Sequence, residues 1–149
     1  MKDQKYEQLK LENQICFPLY ACARQVVNSY TPLLKPLGLT YTQYIVLMVL
    51  WEQDHQPVND IAKRLYLETN TVTPLIKRME TLKIVTRRKD KEDARKTIVS
   101  LTERGKAMEQ EAAKIPACLT GILCEKGLNV DDFVQMVPSL DRMIEQMAK

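Results

Sequence analysis

The feature that most constrains the fold is a change of hydrophobic period between residues 61 and 101. Apolar residues first recur at helical spacing, in a short stretch at 61–65 and a longer one at 72–82. Two runs rich in β-branched residues follow at 84–88 and 97–101, separated by a charged tip. This order of helix, tight linker, helix and hairpin predicts a winged helix-turn-helix in a chain that is mainly α with a small β-hairpin wing.

Pro74 limits where the second helix of the pair can begin. Proline is comfortable only in the first turn of a helix, where its missing N–H has no intrahelical partner. The helix is therefore predicted to begin between Thr69 and Thr71. The linker before it is rich in residue types that cap helix N-termini, so one interpretation of Thr69 and Asn70 is N-capping.

The first turns of this second helix are also candidates for reading DNA. In a helix-turn-helix the second helix enters the major groove with its N-terminal residues nearest the bases. Hydroxyl and amide groups can bond base edges, and threonine methyls can contact thymine methyls. Capping and base contact are compatible, so both interpretations stay open. The expected base-reading residues are Thr69, Asn70, Thr71 and Thr73, with Lys77 and Arg78 at phosphates.

The net charge of +3 hides a strongly basic segment. Eleven basic and five acidic residues fall between Lys77 and Lys106, so this segment carries +6 and the rest of the chain −3. Such a field is typical of phosphate binding, although a solvated charged face gives the same pattern. An arginine on a narrow hairpin suits the minor groove, and Asp93 is spaced to hold Arg95 in position. The wing residues expected at DNA are Arg88, Asp93, Arg95 and Lys96.

Helical patterns flank this module on both sides. A long first helix is predicted from residue 16 to about 34, broken near Pro32 and Pro36, and a second apolar stripe, which includes Tyr44, over 44–51. The polar residues 52–57 are interpreted as a loop. After the wing, Thr102 and Asp131 are predicted to cap two further helices.

The organisation predicted for the 149 residues is a single domain. Residues 40–102 form the DNA-binding module. Residues 1–37 and 103–149 have no obvious core of their own and are interpreted as a platform for dimerisation, with packing inside one protomer as the alternative. A dimer of such modules would bind a palindromic operator in double-stranded DNA.

Several classes of protein fit the composition poorly. No stretch approaches the ~20 apolar residues of a membrane span, and the first residues are too polar for a signal peptide, so a cytoplasmic location without membrane attachment is expected. The four cysteines form no CxxC pair and there is one histidine, His55, so neither a structural metal nor a cofactor is expected. His55 lies in a polar loop and is expected to have no chemical role.

Several motifs resemble one family of regulators over nearly the whole chain. The runs TPLIKRME and DARK followed by LTERG are similar to the MarR family, and LENQICFPLY with GLTYTQY resembles its organic-hydroperoxide-sensing branch. The resemblance implies a dimeric repressor whose DNA affinity is switched off by oxidation of Cys16. Glu68-Thr69-Asn70 stands where the branch usually has DSG, so the operator sequence does not follow from the resemblance.

Cys16 is the candidate redox-sensing residue. Most free cysteines are small buried hydrophobes. Pro18, however, is tolerated best in a first turn, so the helix is predicted to begin around residues 15–17 and to place Cys16 at its N-terminus. The positive end of the helix dipole favours the thiolate, which is the form that attacks a peroxide.

Three tyrosines are expected to support the cysteine. Tyr20 is one turn from Cys16, whereas Tyr30 is fourteen residues away, roughly 21 Å along a helix. The resemblance implies that Tyr30 and Tyr41 of one subunit hydrogen-bond the reactive sulfur of the other. Apolar walls would favour organic hydroperoxides over hydrogen peroxide, and their expected residues are Phe17, Leu19 and Met48.

Two other functions compete with the thiol switch. The first is a regulator of the same fold that is gated by a small phenolic ligand, with Cys16 inert. The second is an enzyme such as a thiol peroxidase, which is not expected because the sequence offers no histidine to support the cysteine, no Gly-rich phosphate loop and no catalytic carboxylate pair.

The thiol that would resolve a sulfenic acid at Cys16 is predicted to be Cys118 of a partner subunit. Cys118 falls on an apolar stripe with Ile115 and Leu119, and Cys124 falls off it. Cys22 lies about 9 Å from Cys16 along the helix axis, which is too far for a disulfide unless the helix unwinds. Cys124 and a small external thiol remain the alternatives.

Overall fold

Eight α-helices and three short β-strands follow one another in the computed structural model, which describes residues 5–149. Three short 3₁₀ turns, Glu7–Leu9, Leu11–Asn13 and Lys35–Leu37, precede the central module. The elements are α1 (Cys16–Ser29), α2 (Thr31–Leu34), α3 (Tyr41–Glu52), β1 (Gln56–Pro57), α4 (Val58–Arg64), α5 (Thr69–Thr81), β2 (Val85–Lys89), β3 (Thr97–Leu101), α6 (Glu103–Ala112), α7 (Ile115–Glu125) and α8 (Val130–Met147).

Helix α3 is the centre of the core. Its start is fixed by a capping box, in which the Thr40 hydroxyl accepts from the Gln43 N–H at 3.3 Å and the Gln43 side chain accepts from the Thr40 N–H at 3.0 Å. Gly38 adopts a left-handed conformation, φ 67°, which lets the chain turn into this helix. Packing then surrounds α3, since Tyr44, Val46, Leu47, Val49 and Leu50 are all buried.

The wing is a three-stranded antiparallel sheet in the order β1-β3-β2. Strands β2 and β3 pair in register from Val85 opposite Leu101 to Lys89 opposite Thr97, which confirms the predicted hairpin. The loop predicted over residues 52–57 is wrong at its end, because Gln56 and Pro57 form β1 against β3. Two residues are too few to show an alternating pattern, so periodicity cannot indicate this strand.

Helix α5 begins at Thr69, within the predicted interval, but the reason given for that start is wrong. Pro74 is the sixth helical residue and lies inside the helix rather than in its first turn. The Asn70 carbonyl therefore lacks the bond that residue 74 would normally donate. The N-cap is Glu68, with no side-chain capping bond, so Thr69 and Asn70 lie in the first turn and do not cap the helix.

Of the two N-caps predicted after the wing, the structure confirms the one at α6 and replaces the one at α8. Thr102 caps α6 as predicted, since its hydroxyl accepts from the Gly105 N–H at 3.1 Å. The predicted cap at Asp131 is wrong: Asn129 is the N-cap of α8 and accepts from the Asp131 N–H at 3.0 Å. Both are capping residue types, but Asn129 has the extended backbone of an N-cap, whereas Asp131 is already the second residue of the helix.

A close junction joins α3, the end of α5 and the first turn of α6. The Trp51 indole N–H donates to the Gly105 carbonyl at 2.9 Å, and the Thr102 hydroxyl donates to the Lys83 carbonyl at 2.8 Å. A Cβ atom at Gly105 would overlap the Ile84 carbonyl oxygen, so only glycine allows this approach. The first turn of α6 is therefore fixed against the base of the wing.

The C-terminal helices differ in how much surface they bury. Helix α7 packs against α1 and α2, and Ile115, Leu119 and Leu123 are buried within the protomer. Helix α8 has no buried residue, and Val134, Met136, Val137, Met143 and Met147 are all exposed. Part of the predicted platform thus packs inside the protomer, and α8 presents an apolar face outward.

Within residues 5–149, no single helix is long and apolar enough to cross a membrane. Only the pair Cys16–Leu37 and Tyr41–Glu52, bent by 73°, reaches that apolarity together.

Candidate nucleic-acid interface and cysteine site

The N-terminal turns of α5 present polar side chains outward. Thr69, Asn70 and Thr71 are exposed, and Thr73 is half-buried with its hydroxyl donating to the Thr69 carbonyl at 2.8 Å. The Thr69 hydroxyl donates at 3.2 Å to the side-chain oxygen of Asn59 in α4, a residue that the sequence analysis did not single out. Lys77 and Arg78 are exposed one to two turns further along.

The wing tip holds Arg95 in a fixed orientation. Arg95 Nε lies 3.0 Å from Asp93 Oδ1 and its Nη2 lies 3.2 Å from Oδ2, a two-pronged pair, while its backbone N–H also donates to Oδ1 at 3.1 Å. These hydrogen bonds from Arg95 hold the pKa of the Asp93 carboxyl below its usual value. The Arg95 side chain is nevertheless 91% exposed, so it is oriented without being covered.

One groove brings the two predicted DNA-reading regions together. Its walls come from the N-terminal turns of α4 and α5 on one side and from the wing on the other. Arg88 is exposed on β2 beside it. The residues that line the groove include Asn59, Thr69, Thr73, Arg87, Arg95 and Lys96.

Tyrosines gather at the junction between α1 and α3. The ring centroids of Tyr30 and Tyr41 lie 4.9 Å apart, and Tyr44 lies 5.9 Å from Tyr30 and 6.4 Å from Tyr41. Burial raises the pKa of all three phenols, and the neighbouring phenols raise that of Tyr30 further. All three therefore stay neutral and able to donate near neutral pH. The periodicity had indicated only that Tyr44 lies on the apolar stripe of α3.

Cys16 is the first residue of α1 and is exposed. Tyr20 follows one turn later, 59% exposed, with the Arg24 guanidinium 5.7 Å from its ring centroid. Tyr30 stands at the opposite end of α1, so the protomer does not bring the tyrosine cluster to its own Cys16. The predicted apolar walls Phe17, Leu19 and Met48 are exposed.

The other cysteines are also exposed, and no disulfide joins any two of them within residues 5–149. The expected position of Cys118 is wrong in one respect. Ile115 and Leu119 turn into the protomer's own core, whereas Cys118 points away from them to the surface. Cys124 lies six residues further along the same helix.

No group of histidine, cysteine and acidic side chains in the described part of the chain has the geometry of a metal site. The Nδ1 of His55 lies 2.6 Å from the Ser100 hydroxyl, beside the end of the wing.

Comparison with known proteins gives consistent matches. The sequence profile of the family described as transcriptional regulator SarA/Rot matches residues 28–112. The chain is 38% identical over 145 residues to the organic hydroperoxide resistance transcriptional regulator of Bacillus subtilis, covering 97% of both chains.

Solved structures agree over most of the chain. Reduced AbfR bound to DNA, a protein of Staphylococcus epidermidis, superposes with a TM-score of 0.76 at 33% identity, covering 95% of this chain and 96% of AbfR. Disulfide-formed AbfR gives a TM-score of 0.66 at 34% identity, covering 93% and 95%.

The family and the relative are transcriptional regulators, which confirms a regulator rather than an enzyme. The helix-turn-helix, the wing and these matches agree with the predicted fold and family. The chain belongs to the SarA/Rot family of transcriptional regulators, which are MarR-like winged-helix proteins, and is a relative of the organic hydroperoxide resistance regulators.

Proposed function

We propose that this chain is a dimeric DNA-binding repressor that leaves its operator when an organic hydroperoxide oxidises Cys16. The observation that carries the proposal is the exposed thiol of Cys16 at the first residue of α1. The relationship to an organic hydroperoxide resistance regulator supports the same chemistry. Reduced AbfR, which is similar over 95% of this chain, is bound to DNA in its crystal structure.

DNA binding is assigned to residues 40–102. The groove between α5 and the wing supports this assignment, because it combines exposed hydroxyl and amide groups with an oriented arginine. Thr69, Asn70, Thr71 and Thr73 would read bases in the major groove and Arg95 would enter the minor groove. The residues assigned to phosphates are Lys77, Arg78, Arg88 and Lys96, all exposed.

Dimerisation is assigned to residues 1–37 and 103–149, of which residues 1–4 lie outside the described part of the chain. The apolar face of α8 and the exposed Leu19 and Tyr20 of α1 support this assignment. A second copy of the chain, packed against these exposed faces, would also give the protein two DNA-binding modules. Two modules related by a two-fold axis match a palindromic operator.

The switch follows from thiolate chemistry. The Cys16 thiolate attacks the outer oxygen of the hydroperoxide, the O–O bond breaks, and the products are a sulfenic acid and, after proton uptake, an alcohol. Neutral phenols of Tyr30 and Tyr41, reaching across the dimer, would stabilise that thiolate, and oxidation would remove these bonds.

A ligand-gated regulator is the second candidate, and one cavity favours it. This cavity lies between α4, the α4–α5 linker and the end of α8. Lys63 offers a cation beside the apolar Ile144 and Met147, a combination that suits a small phenolic acid, while Arg64 is already paired with Glu52. In this case Cys16 would be inert.

A binding titration separates the two candidates. The probe is a labelled duplex that the reduced protein selects from a random-sequence pool, called here the selected duplex. Cumene hydroperoxide should release the protein from the selected duplex at lower concentration than hydrogen peroxide, because Phe17 and Leu19 give the site apolar walls. Fluorescence anisotropy measures the release. Binding that persists after oxidation, together with release by salicylate, would favour the ligand-gated candidate.

Changing Arg95 to alanine should weaken binding to the selected duplex by on the order of 1–3 kcal/mol. The oriented guanidinium is lost, and with it the minor-groove contact. Lys91→Ala is the matched control. Lys91 is an exposed cation of the same tip, so its replacement removes the same charge. Equal losses in the two variants, measured by anisotropy at one salt concentration, would remove the wing from specific recognition.

A further inference from the structure

One acidic residue lies where the recognition helix meets the wing. Glu80 is in the last turn of α5, and Arg87 is the central residue of β2. The Arg87 backbone N–H donates to Glu80 Oε1 at 3.1 Å, and the Arg87 Nε donates to Oε2 at 2.9 Å. The Arg87 Nη2 lies 2.9 Å from the same Oε2. A single carboxylate therefore fastens both the backbone and the side chain of the strand to the helix.

This pair is less exposed than the other ion pairs that contain an arginine. The Arg87 and Glu80 side chains are 27% and 38% exposed, against 91% for Arg95. Ion pairs fully in solvent contribute little, whereas partly covered, multiply bonded pairs define a geometry.

Glu80 is negatively charged, so its contribution to DNA binding cannot be electrostatic attraction. Glu80 lies within the basic segment, and a carboxylate near phosphates lowers the affinity for any DNA sequence. Arg87 lines the groove between α5 and the wing, but its guanidinium is already engaged by Glu80. Its charge is thus directed into the protein rather than toward a phosphate.

Apart from the pair of Glu80 and Arg87, α5 and the wing are joined by a short stretch of backbone. Residues 82–84 join the two elements, and Lys83 within them adopts a positive φ of 58°. The Thr102 hydroxyl bonds the carbonyls of Lys83 and Ile84. Arg87 is three residues beyond this turn and lies opposite Val99 of β3. The bonds from Arg87 to Glu80 therefore also hold β3, the strand that follows Arg95 in the chain.

We infer that Glu80 is a positioning residue for operator recognition: through Arg87 it fixes the angle between the recognition helix and the wing, so that both reach their grooves together. The inference rests on the DNA binding proposed above. Removal of a negative charge from the DNA-binding face should then weaken sequence-specific binding, the opposite of its electrostatic effect.

Four variants test this inference against the selected duplex and a scrambled duplex of the same composition: Glu80→Ala, Glu80→Gln, Arg87→Ala and the double alanine variant. Glu80→Ala should lower the ratio of the two affinities about tenfold, the size of a lost charged hydrogen bond. Binding to the scrambled duplex should stay the same or tighten. Arg87→Ala should give the same loss, and the double variant no more than either, because both remove one contact. Glu80→Gln retains an acceptor for the Arg87 N–H and should lose less.

Glu103→Ala is the matched control, since Glu103 is an acid of the same basic segment and, among residues 5–149, pairs only with Lys106 of its own helix. It should leave the ratio unchanged. Thermal unfolding and the fraction of active protein are measured for every variant, so that the affinities refer to folded dimer.

Two results would overturn the inference. One is a Glu80→Ala variant that binds the selected duplex as tightly as wild type. The other is an Arg87→Ala variant that loses affinity equally for both duplexes with a shallower salt dependence, which would make Arg87 a phosphate ligand. A wild-type protein that selects no duplex would overturn both this inference and the proposed function. A wild type that binds DNA but ignores hydroperoxide would contradict only the redox switch.

Discussion

Replacing Cys16 with serine should leave binding to the selected duplex unchanged and abolish its release by cumene hydroperoxide. A serine hydroxyl is not ionised near neutral pH and does not attack the O–O bond, so the reaction stops before the sulfenic acid forms. The exchange of sulfur for oxygen at an exposed first-turn position disturbs no packing. Anisotropy measures release, and mass spectrometry of the unreduced protein should find oxidation at position 16, as a sulfenic acid or as a disulfide, in wild type and not in Cys16→Ser.

Cys22→Ser is the control for this experiment. Cys22 lies on the same helix and is also exposed, so general thiol reactivity would affect both residues alike. The Cys22 variant should respond like wild type. A Cys16→Ser protein that is still released by hydroperoxide would contradict the switch and favour the ligand-gated candidate or another oxidised residue.

Replacing Cys118 with serine should abolish the covalent dimer that forms after oxidation. The proposed step is attack by the Cys118 thiol of a partner subunit on the Cys16 sulfenic acid, which forms the S–S bond and releases water. The exposed position of Cys118 makes it accessible to a second copy of the chain, although Ile115 and Leu119, which were expected to share its stripe, are buried within the protomer.

Cys124→Ser tests the specificity of that assignment. Six residues on one helix turn the side chain by about 240°, so Cys124 faces another direction from Cys118. On non-reducing gels the Cys124 variant should keep the dimer band and the Cys118 variant should lose it. A band that survives Cys118→Ser would show that another thiol resolves the sulfenic acid, and no band in any variant would assign this step to an external thiol.

The central module was predictable because its signals are local. A change of period marks the wing, and Thr102 is a strong capping residue, so both the hairpin and the start of α6 follow from short windows of sequence. Asp131 and Asn129 show the limit of that method. Either side chain can cap a helix, and the residue type alone does not show that Asn129 is the one with the extended backbone of an N-cap.

The parts that sequence alone did not predict depend on which elements meet. An apolar stripe indicates that Tyr44 is covered, but not that it joins Tyr30 and Tyr41. Helical spacing groups Cys118 with Ile115 and Leu119, but it does not say which side of α7 the protomer itself covers. The pair of Glu80 and Arg87 was hidden in a charge run, since the two residues belong to different elements.

The junction at Gly105 also gives this protein an optical probe of its own. Trp51 is the only tryptophan in the chain, and its indole N–H is bonded at 2.9 Å to a carbonyl of α6. Tyr44 lies 6.4 Å from its ring, close enough to pass excitation energy to it. Ultraviolet emission from one fluorophore therefore comes from the contact between α3 and α6. Separation of these helices would hydrate the indole and shift its emission to the red, so the event could be followed in an unlabelled sample.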